Sequence, residues 1–173
     1  YGLPPVPMYV VHGVVVGDDV AVVGADNLVI VKILTSEPGL YGIGCATHRE
    51  RPLAVATAIE QYMKPFLVGK NPENIEDIWQ SAYVASYFRS GVTLNNALSG
   101  VDGALWDILG KRAGMPLYKL LGGQRDAIDV GADFGIMDSI DDLLGGMGKA
   151  FEAGFKRVKL KYRPGWDITM LQA

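Results

Sequence analysis

Leu120-Leu-Gly-Gly-Gln-Arg-Asp-Ala-Ile-Asp-Val-Gly-Ala-Asp-Phe134 is where the chain changes its pattern, and that change decides the fold. Residues 126–134 alternate as a strand. Asp138-Ser139 opens a helix to about Ala153, with Ile140, Leu143, Leu144, Met147 and Phe151 turned inward and Gly154 as its cap. Arg157-Val-Lys-Leu-Lys-Tyr162 reads as a second strand, and Pro164-Gly165 turns into a new helix from Asp167. Strand, helix, strand, helix is the opening of a parallel α/β architecture. Gly145, Gly146 and Gly148 fall inside the first of these helices, at roughly 1 kcal/mol each relative to Ala, so it should be the weakest element there.

Upstream the order differs. Residues 8–35 are rich in Val and Ile and are punctuated by Gly17-Asp18-Asp19 and Gly24-Ala25-Asp26-Asn27, which suggests two or three antiparallel strands. Ser36-Glu37-Pro38-Gly39 is a turn, and Tyr41-Gly-Ile-Gly-Cys-Ala46 is a further short strand. Three helices follow. The first starts at Pro52 and is closed by Lys64-Pro65 and Gly69; the second starts with Asn71 as N-cap and Pro72 at the first helical position. Ile75, Ile78, Trp79, Ala82 and Tyr83 form the apolar stripe of that second helix. The third runs from about Thr93 to Arg112, with Leu94, Ala97, Leu98, Val101, Leu105, Ile108 and Leu109 on one face, and Gly114 and Pro116 end it. Strands followed by helices make an α+β domain. The boundary falls near Gly123: residues 1–123 form this domain and residues 124–173 begin another.

Bulk properties narrow the function classes. Of 173 residues, 49% are hydrophobic and 20% charged, which is a globular composition. The formal net charge of −3 argues against nucleic acid or a membrane surface as partner. No apolar run approaches the ~20 residues of a membrane span. The single cysteine, Cys45, permits no internal disulfide and fits a cytoplasmic setting. Tyr1-Gly-Leu-Pro-Pro5 has neither a basic n-region nor a Met, and Asp167–Ala173 reads as a helix without a stop signal. Both ends therefore look cut from a longer chain.

Lys159-Leu160-Lys161 is the triplet with the most chemistry in it. Residues two apart in a strand share a face, so Val158, Leu160 and Tyr162 take one side and both lysines the other. With the apolar side on the helices, the ammonium groups point into the interior of a parallel barrel, at its wet C-terminal mouth, where barrel enzymes place their active sites. Two partly buried ammonium groups side by side make each other easier to deprotonate, which a general base at neutral pH requires. Taken alone, Lys-x-Lys equally suits the solvated face of an edge strand.

The longer stretches carry a resemblance. Gly39-Leu-Tyr-Gly-Ile-Gly-Cys-Ala-Thr47, Arg51-Pro-Leu-Ala-Val55, Ile75-Glu-Asp-Ile-Trp-Gln-Ser-Ala-Tyr83 and Asn95-Asn-Ala-Leu-Ser-Gly-Val-Asp102 resemble the enolase superfamily, mandelate racemase/muconate lactonizing enzyme type. So do Ala104-Leu-Trp-Asp-Ile108, Ala113-Gly-Met-Pro-Leu117 and Leu120-Leu-Gly-Gly123, and the branch they resemble is the mannonate dehydratase-like sugar-acid dehydratases. Asp138-Ser-Ile-Asp-Asp142, Ala153–Lys161 and Arg163-Pro-Gly-Trp-Asp167 instead resemble the o-succinylbenzoate synthase/N-acylamino acid racemase branch.

The resemblance implies an α+β N-terminal capping domain followed by the first β/α units of a truncated TIM-type (β/α) barrel. It implies proton abstraction beside the carboxylate of a small molecule, with Mg²⁺ as cofactor and its ligands on later strands, beyond residue 173. It makes Lys161 the base and Lys159 its helper, meeting the substrate carboxylate. Relatives of this kind commonly self-associate, so a homo-oligomer is expected.

Other polar residues read as structural. His12 lies in an apolar strand and His48 in a polar turn beside Arg49, without a partner pattern. Cys45 reads as a packed thiol, Asp102 and Asp107 as local caps or pairs, Trp79/Tyr83 as core, and Asp138 and Asp167 as helix-start residues. Gly122-Gly123 lacks the strand and spacing of a nucleotide-binding loop.

Overall fold

The computed structural model describes residues 28–89 and 91–173, together with the backbone of two short strands, β1 (Met8–Tyr9) and β2 (Val14–Val15). The turns read at residues 17–19 and 24–27, and His12, lie outside the described residues. The chain divides into two compact units, Tyr1–Gln124 and Arg125–Ala173.

The first unit is built on strand β3 (Ile30–Thr35). Strand β4 (Tyr41–Cys45) pairs with it antiparallel, from Ile30↔Cys45 to Leu34↔Tyr41. Strands β1 and β2 pair with β3 too, also antiparallel, and Val31 meets both Val14 and Gly44, so β3 is the central strand. The β3–β4 turn has its proline in the second position, as the sequence suggests: Leu40 N–H donates to the Glu37 carbonyl at 3.1 Å, putting Pro38 second and Gly39, at φ +81°, third. That is the residue pair a type II turn requires.

The helices begin with α1 (Pro52–Ala58). It does not end at Lys64-Pro65, because the chain widens into a π-helical segment, Ile59–Met63, and continues as α2 (Lys64–Leu67). Pro65 has no N–H for the carbonyl four residues back and its ring would strike it. The wider segment, in which Lys64 N–H reaches the Ile59 carbonyl, accommodates the proline without ending the helix. Helix α3 (Ile75–Ala85) starts later than Asn71-Pro72. Asn71 spends its side chain on a turn, accepting from Glu73 N–H at 3.1 Å, and Asn74 is the N-cap residue. Helix α4 (Val92–Arg112) lies where its periodicity puts it and is followed by the short α5 (Leu117–Leu120).

Val31 and Ile33, with Val29 just before the strand, turn one face of β3 onto Val55, Ile59, Ile78, Val101, Leu105 and Ile108, all buried. Helix α4 lies directly on β4 because both surfaces are stripped of side chains there. A Cβ on Gly44 would sit 1.9 Å from the Gly100 carbonyl oxygen, and one on Gly42 would sit 1.9 Å from that of Ala104. Asp107 finishes the contact. Its Oδ2 accepts the outward Ile43 N–H of β4 at 2.8 Å and Lys111 Nζ at 2.7 Å. Asp107 thus pairs locally, as read, and also satisfies a backbone donor on an edge strand.

The second unit contains β5 (Ala132–Phe134), α6 (Ile140–Glu152), β6 (Val158–Leu160) and α7 (Asp167–Gln172). Both strands are shorter than their sequence patterns. The two strands pair parallel, from Ala132↔Val158 to Phe134↔Leu160, so this is a β-α-β-α unit. Ser139 caps α6, accepting from Asp142 N–H at 3.1 Å. Of the face read as inward, only Leu143 is fully buried, joined by Ala150, while Leu144 and Phe151 stay half-exposed.

One of the three helix glycines has a packing reason. A Cβ on Gly146 would lie 2.9 Å from the Phe134 ring, whereas Gly145 and Gly148 face open space. Gly145→Ala and Gly148→Ala should each raise stability by about 0.5–1 kcal/mol, and Gly146→Ala should gain less or lose, by urea titration.

Candidate active site

The second unit brings the sequence-predicted residues to the C-terminal end of two parallel strands. Lys159 lies within β6 and Lys161 just past its end, where Lys161 N–H donates to the Phe134 carbonyl at 3.0 Å. Their side chains lie on the exposed face of the pair, while Val158 and Leu160 are half-buried. Tyr162 does not share that packed face; it lies beyond the strand and is exposed. After the lysines, Arg163-Pro-Gly-Trp166 turns the chain into α7, with Trp166 N–H on the Arg163 carbonyl at 3.1 Å and Gly165 at φ +84°.

Asp133 belongs to this site, and the sequence reading missed it. It pairs in register with Lys159, and Lys159 Nζ donates to its Oδ2 at 3.0 Å. The signal was present, since Ala132 and Phe134 turn inward and alternation sends Asp133 to the lysine side. What the sequence lacked was the register.

The residues read as structural behave differently from one another. Cys45 is not packed; it is exposed, on the β4 face opposite Gly42 and Gly44, with its thiol 3.2 Å from Thr47 Oγ1. Small residues at alternate positions place the thiol outward. His48 is half-buried and its carbonyl accepts from Arg51 N–H at 3.0 Å. Trp79 and Tyr83 are not core either. They stack at 5.1 Å between centroids and are half-buried, because α3 buries only Ile75 and Ile78 fully. A cleft of about 540 Å³ between the π-helical segment, α3 and α4 is lined by Tyr62, Phe66, Tyr83 and Leu94, and its walls carry no carboxylate or amine.

Asp102 on α4 is held above the usual carboxylate range. Desolvation is the main cause, opposed by the hydrogen bond with Trp106 and reinforced by the nearby Glu76 carboxylate. A raised acid binds its proton more readily folded than unfolded, so its contribution to stability falls as pH rises through the carboxylate range. Asp102→Asn should therefore compare better with the parent at pH 7 than at pH 3, by thermal melts at both.

Among the described residues, no three His, Cys, Asp or Glu side chains converge as a metal site. Nor is any described helix long and apolar enough to cross a membrane.

The mandelate racemase / muconate lactonizing enzyme, N-terminal domain, matches residues 15–122. The chain belongs to this family. It is an enolase-superfamily chain, with an α+β capping domain followed by the first β/α units of a barrel. Over 106 residues it is 62% identical to the D-galactonate dehydratase family member RspA of Pantoea ananatis, covering 61% of this chain and 25% of that protein. Over 138 residues it is 50% identical to a D-galactonate dehydratase family member of Enterococcus gallinarum, covering 78% of this chain and 34% of the other. A crystal structure of an enolase from Pantoea ananatis with bound D-gluconate and Mg is 45% identical, with a TM-score of 0.77 over 90% of this chain and 35% of that one. This member of the family thus spans about a quarter to a third of the length of the relatives it matches.

Proposed function

We propose that the chain is the N-terminal part of an enzyme that removes the proton alpha to the carboxylate of a sugar acid and expels water. The observation that carries this is the likeness to D-galactonate dehydratase family members, together with a structural neighbour holding D-gluconate and Mg. In this reading residues 1–123 are the capping domain, which shapes specificity, and residues 124–173 begin the barrel. Lys161, at the mouth end of β6, is the base, and Lys159 steadies the substrate carboxylate. Loss of the α proton and the β hydroxyl leaves an enol, which tautomerises to a 2-oxo acid. Mg²⁺ is the cofactor of the whole protein; the described residues supply no site for it. The whole protein is a cytoplasmic homo-oligomer acting on a small carboxylate.

The Lys-x-Lys pair favours a second reading, o-succinylbenzoate synthase or N-acylamino acid racemase chemistry, which also begins with α-proton removal. Nuclear magnetic resonance of the whole protein with D-galactonate, D-mannonate and D-gluconate in D₂O, Mg²⁺ present, tests the first reading. A 2-oxo acid product supports it, and no turnover of any sugar acid overturns it. Turnover of N-acyl amino acids with α-deuteration favours the second. The 173-residue chain alone should show no dehydratase turnover with Mg²⁺, and measured turnover would refute that expectation.

A further inference from the structure

We infer that Asp133 is a positioning residue that gives the two lysines different roles, engaging Lys159 and leaving Lys161 as the unengaged amine. This deepens the proposed function and rests on its reading of the Lys-x-Lys pair. The parallel register sets Asp133 beside Lys159, and the carboxylate takes the Lys159 ammonium at 3.0 Å. One step further along, the backbone ladder continues, since the Phe134 carbonyl accepts Lys161 N–H at 3.0 Å. The side-chain column stops there. The residue that follows Phe134 is Gly135, which offers Lys161 no side chain at all. Among the described residues, Lys161 Nζ has no hydrogen-bond or ion-pair partner.

Two adjacent amines are thus made unlike by one carboxylate and one glycine. A lysine whose ammonium donates to a carboxylate is held in place, fitted to meet an anionic substrate group. A lysine without that bond is free to turn to another partner. Strand periodicity alone places the two lysines alike.

Amine reactivity tests this without any turnover. The 173-residue chain is acetylated with a trace of N-hydroxysuccinimidyl acetate, and the two lysines are compared within one peptide by mass spectrometry. Lys161 should react about two- to five-fold faster than Lys159, the range an exposed ion pair produces. Asp133→Asn should bring the two rates toward parity by speeding Lys159. Gly135→Asp places a carboxylate beside Lys161 at a position where a Cβ meets nothing within 4 Å, so Lys161 should slow. Equal rates in the parent chain, or a ratio unmoved by Asp133→Asn in a variant with parental circular dichroism, would overturn the inference. If Asp133→Asn does not fold, Gly135→Asp decides by the same readout. Failure here is distinct from failure of the proposed function. A whole protein whose Lys161→Ala variant keeps turnover removes the base assignment but leaves the reactivity ratio standing.

Discussion

Gly44→Val should unfold the Tyr1–Gln124 unit, seen as loss of the helical circular dichroism signal and of amide protection along α4. The added Cβ would lie 1.9 Å from the Gly100 carbonyl oxygen and 2.7 Å from Ala104 N, and both obstacles are backbone. Backbone cannot rotate away as a side chain can. Helix α4 cannot withdraw either, because Val101, Ala104, Leu105 and Ile108 fix it in the core. Overpacking of this kind costs about 3 kcal/mol or more, a large part of the roughly 5–15 kcal/mol that stabilises an ordinary domain. Gly103→Ala is the control on the same helix. Its Cβ would meet Gly44 Cα at 3.5 Å, an ordinary contact, so it should be neutral or slightly stabilising. A Gly44→Val chain that melts within a few degrees of the parent would show that strand and helix do not touch this way.

Lys161→Ala in the whole protein should lower turnover of the sugar acid by about 10²–10⁴, the share a positioned general base contributes. Lys161→Arg should be as damaging, because a guanidinium keeps its proton at neutral pH and cannot accept another. Lys159→Ala should act mainly on KM, since its proposed task is to hold the carboxylate. Steady-state kinetics of the three variants, each with parental circular dichroism, separates the roles. A Lys161→Ala protein at near-parental kcat would remove the base from this position.

Much of the fold was legible in local signals. The apolar stripe of α4 gave a 21-residue helix to within one residue, and Ser139 marked the start of α6. Two starts and stops misled. Pro65 and Asn71-Pro72 carry strong local preferences, but a π-helical segment takes up Pro65, and Asn71 spends its side chain on a turn before α3 begins. Burial in the second unit was over-read. Leu144, Phe151 and Tyr162 have the pattern of inward residues, and two strands with two helices are too little to cover them.

The sequence by itself determined the order of elements, the change from antiparallel strands and helices to β-α-β-α, and the placement of Lys159 on the exposed side of its strand. These depend on periodicity and turn chemistry, which are properties of near neighbours. Only the tertiary structure decided why Gly42 and Gly44 stand in a strand that glycine should weaken, why Gly146 interrupts a helix, and which lysine meets Asp133. Each turns on an approach between residues at least ten apart in sequence, and a distance of that kind is not written in any local pattern.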